Sequence, residues 1–418
     1  MNAILIALAL ASTGPKFIDD DYGKALKQAK AQKKLLFVDA WAPWCHTCIA
    51  MKEQVFTRPA FTAFEKDVVF ASIDTEKTKA DAFLSKFPIE VWPTLLFIDP
   101  VKETVVLKWL GSADEVQMQA LLEAARGGPG ALRDADDALS AGNAGIAAEK
   151  YKAALDAGEV KARTVLSMLS AMTLAKQTEA CARTAMEQLP LFTNAQERVA
   201  AVTWGLGCAI DMPEGKQKGA ILDALVREGT KALPLEGVLP DDTSGLYEVL
   251  VAEREAAKDE AATQKLAGQW LTFLDAQAAK AATPGARAVF DPHRVSAALA
   301  SKQAEKLVEP LLLSEKDFPK DYNPPARLAV IYRELGKFDE GLKAIERALG
   351  KCKEGPRKLR LFDTKASLQD KKGDAAGRKK TLEEAVKYAK KLPKSQVSEK
   401  RIAALEAQLA PKPVSPSP

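Results

Sequence analysis

The chain is poor in the residues that carry redox and metal chemistry, and it has no strong excess of charge of either sign. Five cysteines and two histidines are spread over 418 residues. Lys and Arg number 60 and Asp and Glu 56, which leaves a formal net charge of +4. So small an excess on so long a chain makes no case for nucleic-acid or membrane-surface binding. We interpret the Lys-rich last third as solvated helix faces.

Long apolar runs are also missing, apart from one short segment at the N-terminus. Met1–Ser12 has a short apolar core followed by small residues, and it is too short to span a bilayer as a helix. No Lys or Arg precedes this core, as one does in a good signal peptide. We predict a signal peptide at residues 1–15 and a periplasmic or otherwise exported protein with no integral membrane segment after processing. The alternative is a buried first strand of a cytoplasmic protein.

The length of the chain predicts two or three domains. Residues 16–126 alternate strand and helix patterns, with strands predicted at four runs: Leu35–Ala40, Val68–Ile73, Thr94–Ile98 and Thr104–Lys108. Such alternation indicates an α/β domain whose sheet is covered by helices on both faces. The Gly- and Pro-rich residues 127–130 are predicted to be a linker.

From residue 131 to residue 409 the pattern is helical, with little strand signal. Pro325–Leu349 places small and large apolar residues at helical spacing around a Gly-Lys-Phe turn, and it resembles a tetratricopeptide repeat. Weaker copies are predicted at Leu361–Ala389 and Ala135–Ala157. We therefore expect an all-α domain of tetratricopeptide-like helical repeats, followed by a disordered, Pro- and Ser-rich tail at 410–418.

One motif carries strong chemistry, the Cys45-His46-Thr47-Cys48 segment between a predicted strand and a predicted helix. Two cysteines with this spacing at a helix start can close a disulfide and open it again. The unpaired N–H groups of the helix N-terminus favour negative charge on the first thiol, which lowers its pKa. The sequence therefore predicts exchange of dithiols and disulfides with other proteins.

Two other roles for this motif stay open, a structural disulfide and a zinc site. Cys45, His46 and Cys48 all offer zinc ligands, but a structural zinc ion usually has four. The chain has no second Cys pair of this spacing, and its other histidine, His293, is interpreted as a loop or cap residue. We therefore predict no metal and no cofactor.

The first domain resembles the thioredoxin superfamily, with most similarity to the C-terminal domain of the thiol:disulfide interchange protein DsbD. The resemblance depends on the Trp-Cys-x-x-Cys motif, on Lys52–Phe56 after it and on the later Pro-Thr-Leu-Leu-Phe strand. It implies a central mixed sheet flanked by helices. It also implies that Cys45 attacks the partner's disulfide and that the more buried Cys48 resolves the mixed disulfide, leaving a Cys45–Cys48 disulfide.

The same resemblance assigns roles to residues around the motif. Pro93 matches the cis-proline of the family, which lies beside the disulfide and pairs with substrate, although it could be an ordinary proline at a strand entry. Trp92 would face incoming partners, and Trp44 would flank the motif. His46 either carries a positive charge that stabilises the Cys45 thiolate, or faces solvent as a neutral ring with little effect.

Asp39 matches the buried acid of the family, which exchanges a proton with the resolving cysteine. The lysine that accompanies this acid in thioredoxin is replaced here, at about Phe70. That departure leaves open a capping or turn role for Asp39.

These features predict a thiol:disulfide oxidoreductase that acts on exported proteins. The helical repeats would bind the protein partner and carry no chemistry of their own, and a separate redox partner would supply or accept electrons. The alternative is a non-enzymatic adaptor or assembly protein whose Cys pair is structural or regulatory. Cys181 and Cys208 fall on successive predicted helices, where they either form a second disulfide or stay two separate buried thiols.

Overall fold

The computed structural model describes residues 14–127, 131–159 and 161–409. Most of the predicted signal peptide (1–13), residues 128–130 of the predicted linker and the tail at 410–418 lie outside the described residues. Within the described part, no helix has the length and apolar character needed to cross a membrane.

A five-stranded sheet forms the first part of the described chain: β1 (Phe17–Asp19), β2 (Leu35–Trp41), β3 (Val68–Asp74), β4 (Thr94–Asp99) and β5 (Thr104–Leu110). The spatial order is β1-β3-β2-β4-β5, with β2 parallel to β3 and antiparallel to β4. The sheet is therefore mixed, as the resemblance implies. The sequence predicts β2 to β5 within two residues but not β1, because three residues are too few to show a period.

Helices cover both faces of this sheet: α1 (Tyr22–Gln32), α2 (His46–Ala50), α3 (Pro59–Thr62), α4 (Asp81–Lys86) and α5 (Glu115–Arg126). Alternate side chains of β2 enter different cores, since Leu36 and Val38 pack with α1 and α4 while Phe37 packs on the opposite face. The predicted helix after the cysteine motif is α2 followed by one π-helical segment at Met51–Val55.

The rest of the described chain is helical. In chain order the helices are α6 (Ala131–Ser140), α7 (Ala144–Asp156), α8 (Ala162–Leu174), α9 (Thr178–Gln188), α10 (Ala195–Ile210), α11 (Lys216–Ala232), α12 (Pro240–Ala256), α13 (Glu260–Lys280), α14 (Pro284–Ala288), α15 (Asp291–Ala300), α16 (Val308–Asp317), α17 (Asn323–Glu334), α18 (Phe338–Lys351), α19 (Arg357–Lys372), α20 (Ala375–Ala389) and α21 (Glu399–Ala407).

The three predicted repeats are helical hairpins in the structure: α6 with α7, α17 with α18, and α19 with α20. Each turn has a glycine at positive φ, namely Gly142, Gly336 and Gly373. Successive hairpins also pack closely. Gly341 of α18 lies so near α19 that a Cβ added to it would be 2.7 Å from the Leu368 side chain. The predicted helical-repeat architecture is confirmed.

Cys181 of α9 and Cys208 of α10 form a disulfide. Their Cα atoms are 6.0 Å apart, inside the range of about 4.4–6.8 Å that a disulfide requires. Of the two alternatives that the sequence leaves open, the structure has the disulfide, which links two neighbouring helices.

The sheet and the helices share a hydrophobic core. On the Phe37 face of the sheet, buried side chains continue through Leu121 of α5 to Leu139 of α6, Tyr151 of α7 and Leu169 of α8. The helical region therefore packs directly on the sheet region, and the two regions are held in a defined relation across the predicted linker.

Candidate active site

The cysteine motif lies just beyond the end of β2, where the chain turns into α2. Cys45 is the N-cap of α2, and its Sγ accepts a hydrogen bond of 3.0 Å from the backbone N–H of Cys48. The two residues form a disulfide with a Cα separation of 5.2 Å. Cys45 is 4% exposed and Cys48 is fully buried. The predicted order of burial is confirmed, and the sulfur of Cys45 is the one that a helix N–H group would stabilise as a thiolate.

Three tryptophans pack around this disulfide, Trp41, Trp44 and Trp92. The rings of Trp44 and Trp92 meet edge to face with centroids 5.2 Å apart. The indole N–H groups of these two tryptophans are satisfied, because Trp44 donates to Glu76 Oε1 at 2.7 Å and Trp92 donates to Thr75 Oγ1 at 2.8 Å. These bonds hold the rings in place beside the sulfurs.

The Trp92–Pro93 peptide bond is cis, as predicted. Pro93 directly precedes β4, and its carbonyl accepts a hydrogen bond from Gly111 N–H at 2.9 Å. The proline loop therefore brings Trp92 against the disulfide cluster, which places the loop at the site that the resemblance implies.

Asp39 lies in the middle of β2 and is completely buried. Ser72, its register partner on β3, donates a hydrogen bond of 3.3 Å to Oδ2. Among the described residues, Oδ1 has no hydrogen-bond partner. Burial raises the pKa of Asp39 to about 6, although Lys52 and Ser72 act in the opposite direction. A carboxyl group with this pKa can release and accept a proton near neutral pH.

A lysine does accompany Asp39, although not at the position that the comparison with thioredoxin gives. Phe70 does lie on β3, opposite Phe37, but Lys52 reaches the acid from the π-helical segment after α2. Its Nζ lies 3.9 Å from Asp39 Oδ2 and donates to Ser72 Oγ at 2.8 Å. The sequence comparison missed this lysine because it lies on a helix rather than on the neighbouring strand.

A cavity of about 200 Å³ lies against this acid and lysine, lined also by Phe17, Phe56 and Ser72. It is polar at one wall and large enough for several water molecules. Water in this cavity would give Asp39 a route for exchanging protons.

His46 is bound by the helical region and does not simply face solvent. Its Nδ1 lies 2.9 Å from Oδ1 of Asp241, which is in the first turn of α12, and its side chain is 30% exposed. Thr47 donates to Oδ2 of the same carboxylate at 2.8 Å. Burial alone would lower the pKa of His46, but the Asp241 carboxylate raises it above its ordinary value. Asp241 therefore favours a positive charge inside the Cys45–Cys48 ring.

The interpretation of His293 as a loop or cap residue is wrong. It lies inside α15, it is 1% exposed, and its ring centroid is 3.9 Å from that of His46. Its Nε2 lies 3.5 Å from Asp241 Oδ1. Burial alone would raise the pKa of Asp241, but the two histidines lower it well below its ordinary range. The helical region thus contributes two residues to the surroundings of the motif, where the sequence predicts none.

The helical region also covers the other side of the motif. Asn323, at the start of α17, donates from Nδ2 to the carbonyl of Pro43 at 3.1 Å. The guanidinium of Arg357, at the start of α19, lies 4.9 Å from the Trp44 ring centroid, and the Arg357 N–H donates to Glu76. These contacts bring α17 and α19 against residues that directly precede Cys45.

A cavity of about 190 Å³ remains between the two regions beside the motif. His46, Thr47 and Trp92 line it from one side, and Gln196 and Asp242 line it from the other. Asp242 accepts hydrogen bonds from Ser112 at 2.5 Å and from Gln196 at 2.6 Å. Burial, followed by repulsion from the neighbouring Asp241, raises the pKa of Asp242 to about 6.

A mixed sheet of this order, with a Cys-x-x-Cys pair after the second strand and a cis-proline before the fourth, defines the thioredoxin class. A family model described as thioredoxin-like matches residues 18–100. Thioredoxin H3 of Arabidopsis thaliana is 34% identical over 92 residues, which are 21% of this chain and 71% of that protein. The chain belongs to the thioredoxin family through this region.

The chain is also similar to a second thiol:disulfide protein and to a solved helical-repeat protein. The thiol:disulfide interchange protein DsbD of Pseudomonas fluorescens is 33% identical over 78 residues, which are 18% of this chain and only 13% of DsbD. A solved tetratricopeptide repeat protein from Parabacteroides merdae matches 67% of this chain and 97% of its own, with 9% identity and a TM-score of 0.44.

Proposed function

We propose that this protein is a thiol:disulfide oxidoreductase that reduces or exchanges disulfides in other proteins through Cys45 and Cys48. One observation carries the proposal: the Cys45–Cys48 disulfide caps a helix and packs against Trp92, which precedes the cis-proline, and the strand that leads to the motif carries a buried acid. Each of these parts has a role in disulfide exchange, whereas a purely structural disulfide needs none of them.

In the reducing direction, the Cys45 thiolate attacks one sulfur of the partner's disulfide. A Cys45–partner disulfide forms, and the partner's other sulfur leaves as a thiolate. The Cys48 thiolate then attacks Cys45 Sγ, which closes the Cys45–Cys48 disulfide and releases the partner's second sulfur. The protein has donated two electrons, and a separate dithiol protein must return them before the next cycle.

Asp39 is proposed to take the proton that Cys48 loses before it attacks. Its pKa of about 6 leaves it ionised at neutral pH, so that it can act as a base. Lys52 and Ser72 hold its Oδ2, which leaves Oδ1 available for the proton. The cavity against Asp39 and Lys52 then lets the proton exchange with solvent.

The helical repeats are proposed to bind the protein partner. Stacked helical hairpins commonly offer extended surfaces for proteins and peptides. Because Cys45 is almost fully buried, a protein disulfide can reach this sulfur only if the contacts around the motif, including those from the helical region, open. Partner binding to the repeats would provide the free energy for that opening.

Mixed-disulfide trapping tests this proposal on the full chain. Cys48→Ala removes the resolving thiol, so Cys45 should stay bonded to its partner and give adducts that a reductant dissolves. The matched variant Cys45→Ala keeps one thiol at the same motif and should give none. Equal trapping by the two variants would show that the assigned roles are wrong.

Export to an oxidising compartment is part of the proposal. The N-terminal segment supports it, and so does the buried Cys181–Cys208 disulfide, because structural disulfides persist mainly outside the reducing cytoplasm. Alkylation of free thiols in freshly fractionated cells, followed by mass mapping, tests it. A cytoplasmic protein would be recovered with Cys181 and Cys208 alkylated.

The low exposure of Cys45 favours a second candidate, an adaptor protein whose Cys45–Cys48 bond is structural. The reduction potential of the pair separates the two. A structural disulfide should lie below about −300 mV, whereas thioredoxin lies near −270 mV and the oxidant DsbA near −120 mV.

A further inference from the structure

Both histidines of this 418-residue chain meet at one buried carboxylate. Asp241 lies between them, with Oδ1 2.9 Å from His46 Nδ1 and 3.5 Å from His293 Nε2. One ligand atom from each of the three residues lies within 4.8 Å of the other two. The residues come from α2, α12 and α15, so the tertiary structure alone brings them together.

The hydrogen bonds of this cluster leave one nitrogen without a partner. Asp241 receives hydrogen bonds from His46 and Thr47. His293 is 1% exposed, and its Nε2 has no hydrogen-bond partner among the described residues, since 3.5 Å from Asp241 is too long for a good N–H···O bond. A buried nitrogen of this kind is costly unless something binds it.

We propose that His46, Asp241 and His293 form a binding site for a divalent transition-metal ion, with Zn²⁺ as the best fit. Two imidazole nitrogens and one carboxylate oxygen are ligands that zinc takes in open sites, where water or another ligand occupies the fourth position. Ligand atoms about 2.0–2.1 Å from a tetrahedral ion are about 3.3 Å apart. The two measured separations, 2.9 and 3.5 Å, differ from this spacing by a few tenths of an ångström.

The charges around the site also suit a cation. The Glu248 carboxylate lies 3.8 Å from Nδ1 of His293, on the side of the ring away from Asp241, where it can orient the ring. Arg327 is the opposing charge near His46, and Asp291 partly offsets it. Asp241 and Glu248 therefore leave the site with a net negative character that an ion would neutralise.

This site would link the redox motif to the helical region through bonds that do not use sulfur. One ligand is inside the Cys45–Cys48 ring, and two are on helices that cover it. The inference does not depend on disulfide exchange, because the cluster is complete in the oxidised protein.

Cobalt binding to the oxidised full chain tests the proposal. Any affinity tag is removed, so that His46 and His293 are the only histidines present. Oxidation keeps four cysteines in disulfides and leaves Cys352 as the free thiol among the described residues. One equivalent of Co²⁺ should give the visible bands of a four-coordinate ion without a thiolate charge-transfer band, and Zn²⁺ should displace it and raise the melting temperature.

Three variants and a matched control assign the ligands. Loss of residues that merely orient a metal ligand weakens binding about 10–100-fold. His46→Asn, His293→Asn and Asp241→Asn should therefore each weaken Zn²⁺ binding by at least about tenfold. Asp242→Asn removes the neighbouring buried carboxylate, which bonds to Ser112 and Gln196 instead, and should weaken binding less than any of the three ligand variants.

Absence of stoichiometric binding by the oxidised wild type would overturn the proposal, and so would binding that His293→Asn leaves intact. His46→Asn guards against a variant that only fails to fold, because His46 is partly exposed. Circular dichroism establishes that it is folded, and full retention of binding by that folded variant would equally exclude the site.

Discussion

The sheet region and the helical region contribute to the same site in different ways. In the sheet region, the reactive residues are neighbours in sequence, since Cys45 and Cys48 share one turn and Asp39 lies on the strand before them. In the helical region, Asp241 and His293 are on separate helices, and Asp241 meets a histidine 195 residues away in sequence. Reactive residues that are close in sequence form a recognisable motif, whereas residues brought together from distant helices form no sequence motif.

The two disulfides show the same contrast. Cys45–Cys48 closes a small ring at a helix start, surrounded by residues suited to exchange. Cys181–Cys208 is buried between two helices and contacts the hydroxyl of Thr173, and among the described residues no acid or base bonds to its sulfurs. We expect the first to turn over and the second to stabilise. Four changes, ordered from the largest expected effect to the smallest, separate the residues that serve exchange from those that stabilise the fold.

Removing Cys45 should have the largest effect on activity. Cys45→Ala should lower disulfide exchange to the uncatalysed rate, because the thiol that remains in the motif, Cys48, is fully buried and cannot reach a partner's disulfide. Insulin reduction with dithiothreitol measures this. The double variant Cys181→Ala/Cys208→Ala is the matched control and should keep the wild-type rate. Loss of turnover in the double variant would show that the second disulfide takes part in exchange.

Removing the second disulfide should instead lower the free energy of unfolding. Cys181 and Cys208 are 27 residues apart, and closing a loop of that size stabilises a protein by about 3 kcal/mol. Urea unfolding of the double variant, followed by circular dichroism, should show that loss. An unchanged midpoint would mean that helix packing alone holds α9 to α10.

Asp39→Asn should stabilise the protein at high pH. The folded pKa of about 6 exceeds the ordinary value of 3.8, so the folded state binds more protons between these pH values and stability falls as pH rises through them. Asp39→Asn should therefore raise the free energy of unfolding by at most about 3 kcal/mol above pH 7, and it should leave that free energy unchanged below pH 4. Unfolding measured at both pH values checks this.

Asp242→Asn is the control for that prediction, since burial and Asp241 raise the pKa of Asp242 to about 6 as well. It should give a stability change of the same sign. Only Asp39→Asn should slow disulfide exchange. An equal loss of rate in both variants would remove the proton-transfer role of Asp39.

Weakening the cover over Cys45 should have the smallest effect. Asn323→Ala removes the hydrogen bond to the Pro43 carbonyl, which is worth about 1 kcal/mol. Opening should become about fivefold more frequent, and reduction of Cys45–Cys48 by a small dithiol should accelerate by the same factor. Arg378→Ala on α20 is a control on the helical region and should change nothing. No acceleration with Asn323→Ala would mean that the cover does not limit access.

Sequence alone determined the sheet region in most of its parts. The apolar runs predict β2 to β5, and the resemblance places Cys45, Cys48, Trp92 and the cis-proline correctly. The helical hairpins could also be predicted, because Gly336 and Gly373 interrupt a clear helical period. Each of these features depends on a short segment of the chain, so its pattern is visible in the sequence.

Only the tertiary structure decided which residues surround the motif. Lys52 reaches Asp39 from a helix, and Asp241 and His293 reach His46 from helices whose positions depend on the packing of the whole second region. Buried polar contacts of this kind give no periodic pattern in the sequence, because a single side chain in the correct orientation is enough to form each contact. The sequence therefore specifies a redox motif, and the fold of the helical region specifies the electrostatic surroundings in which that motif works.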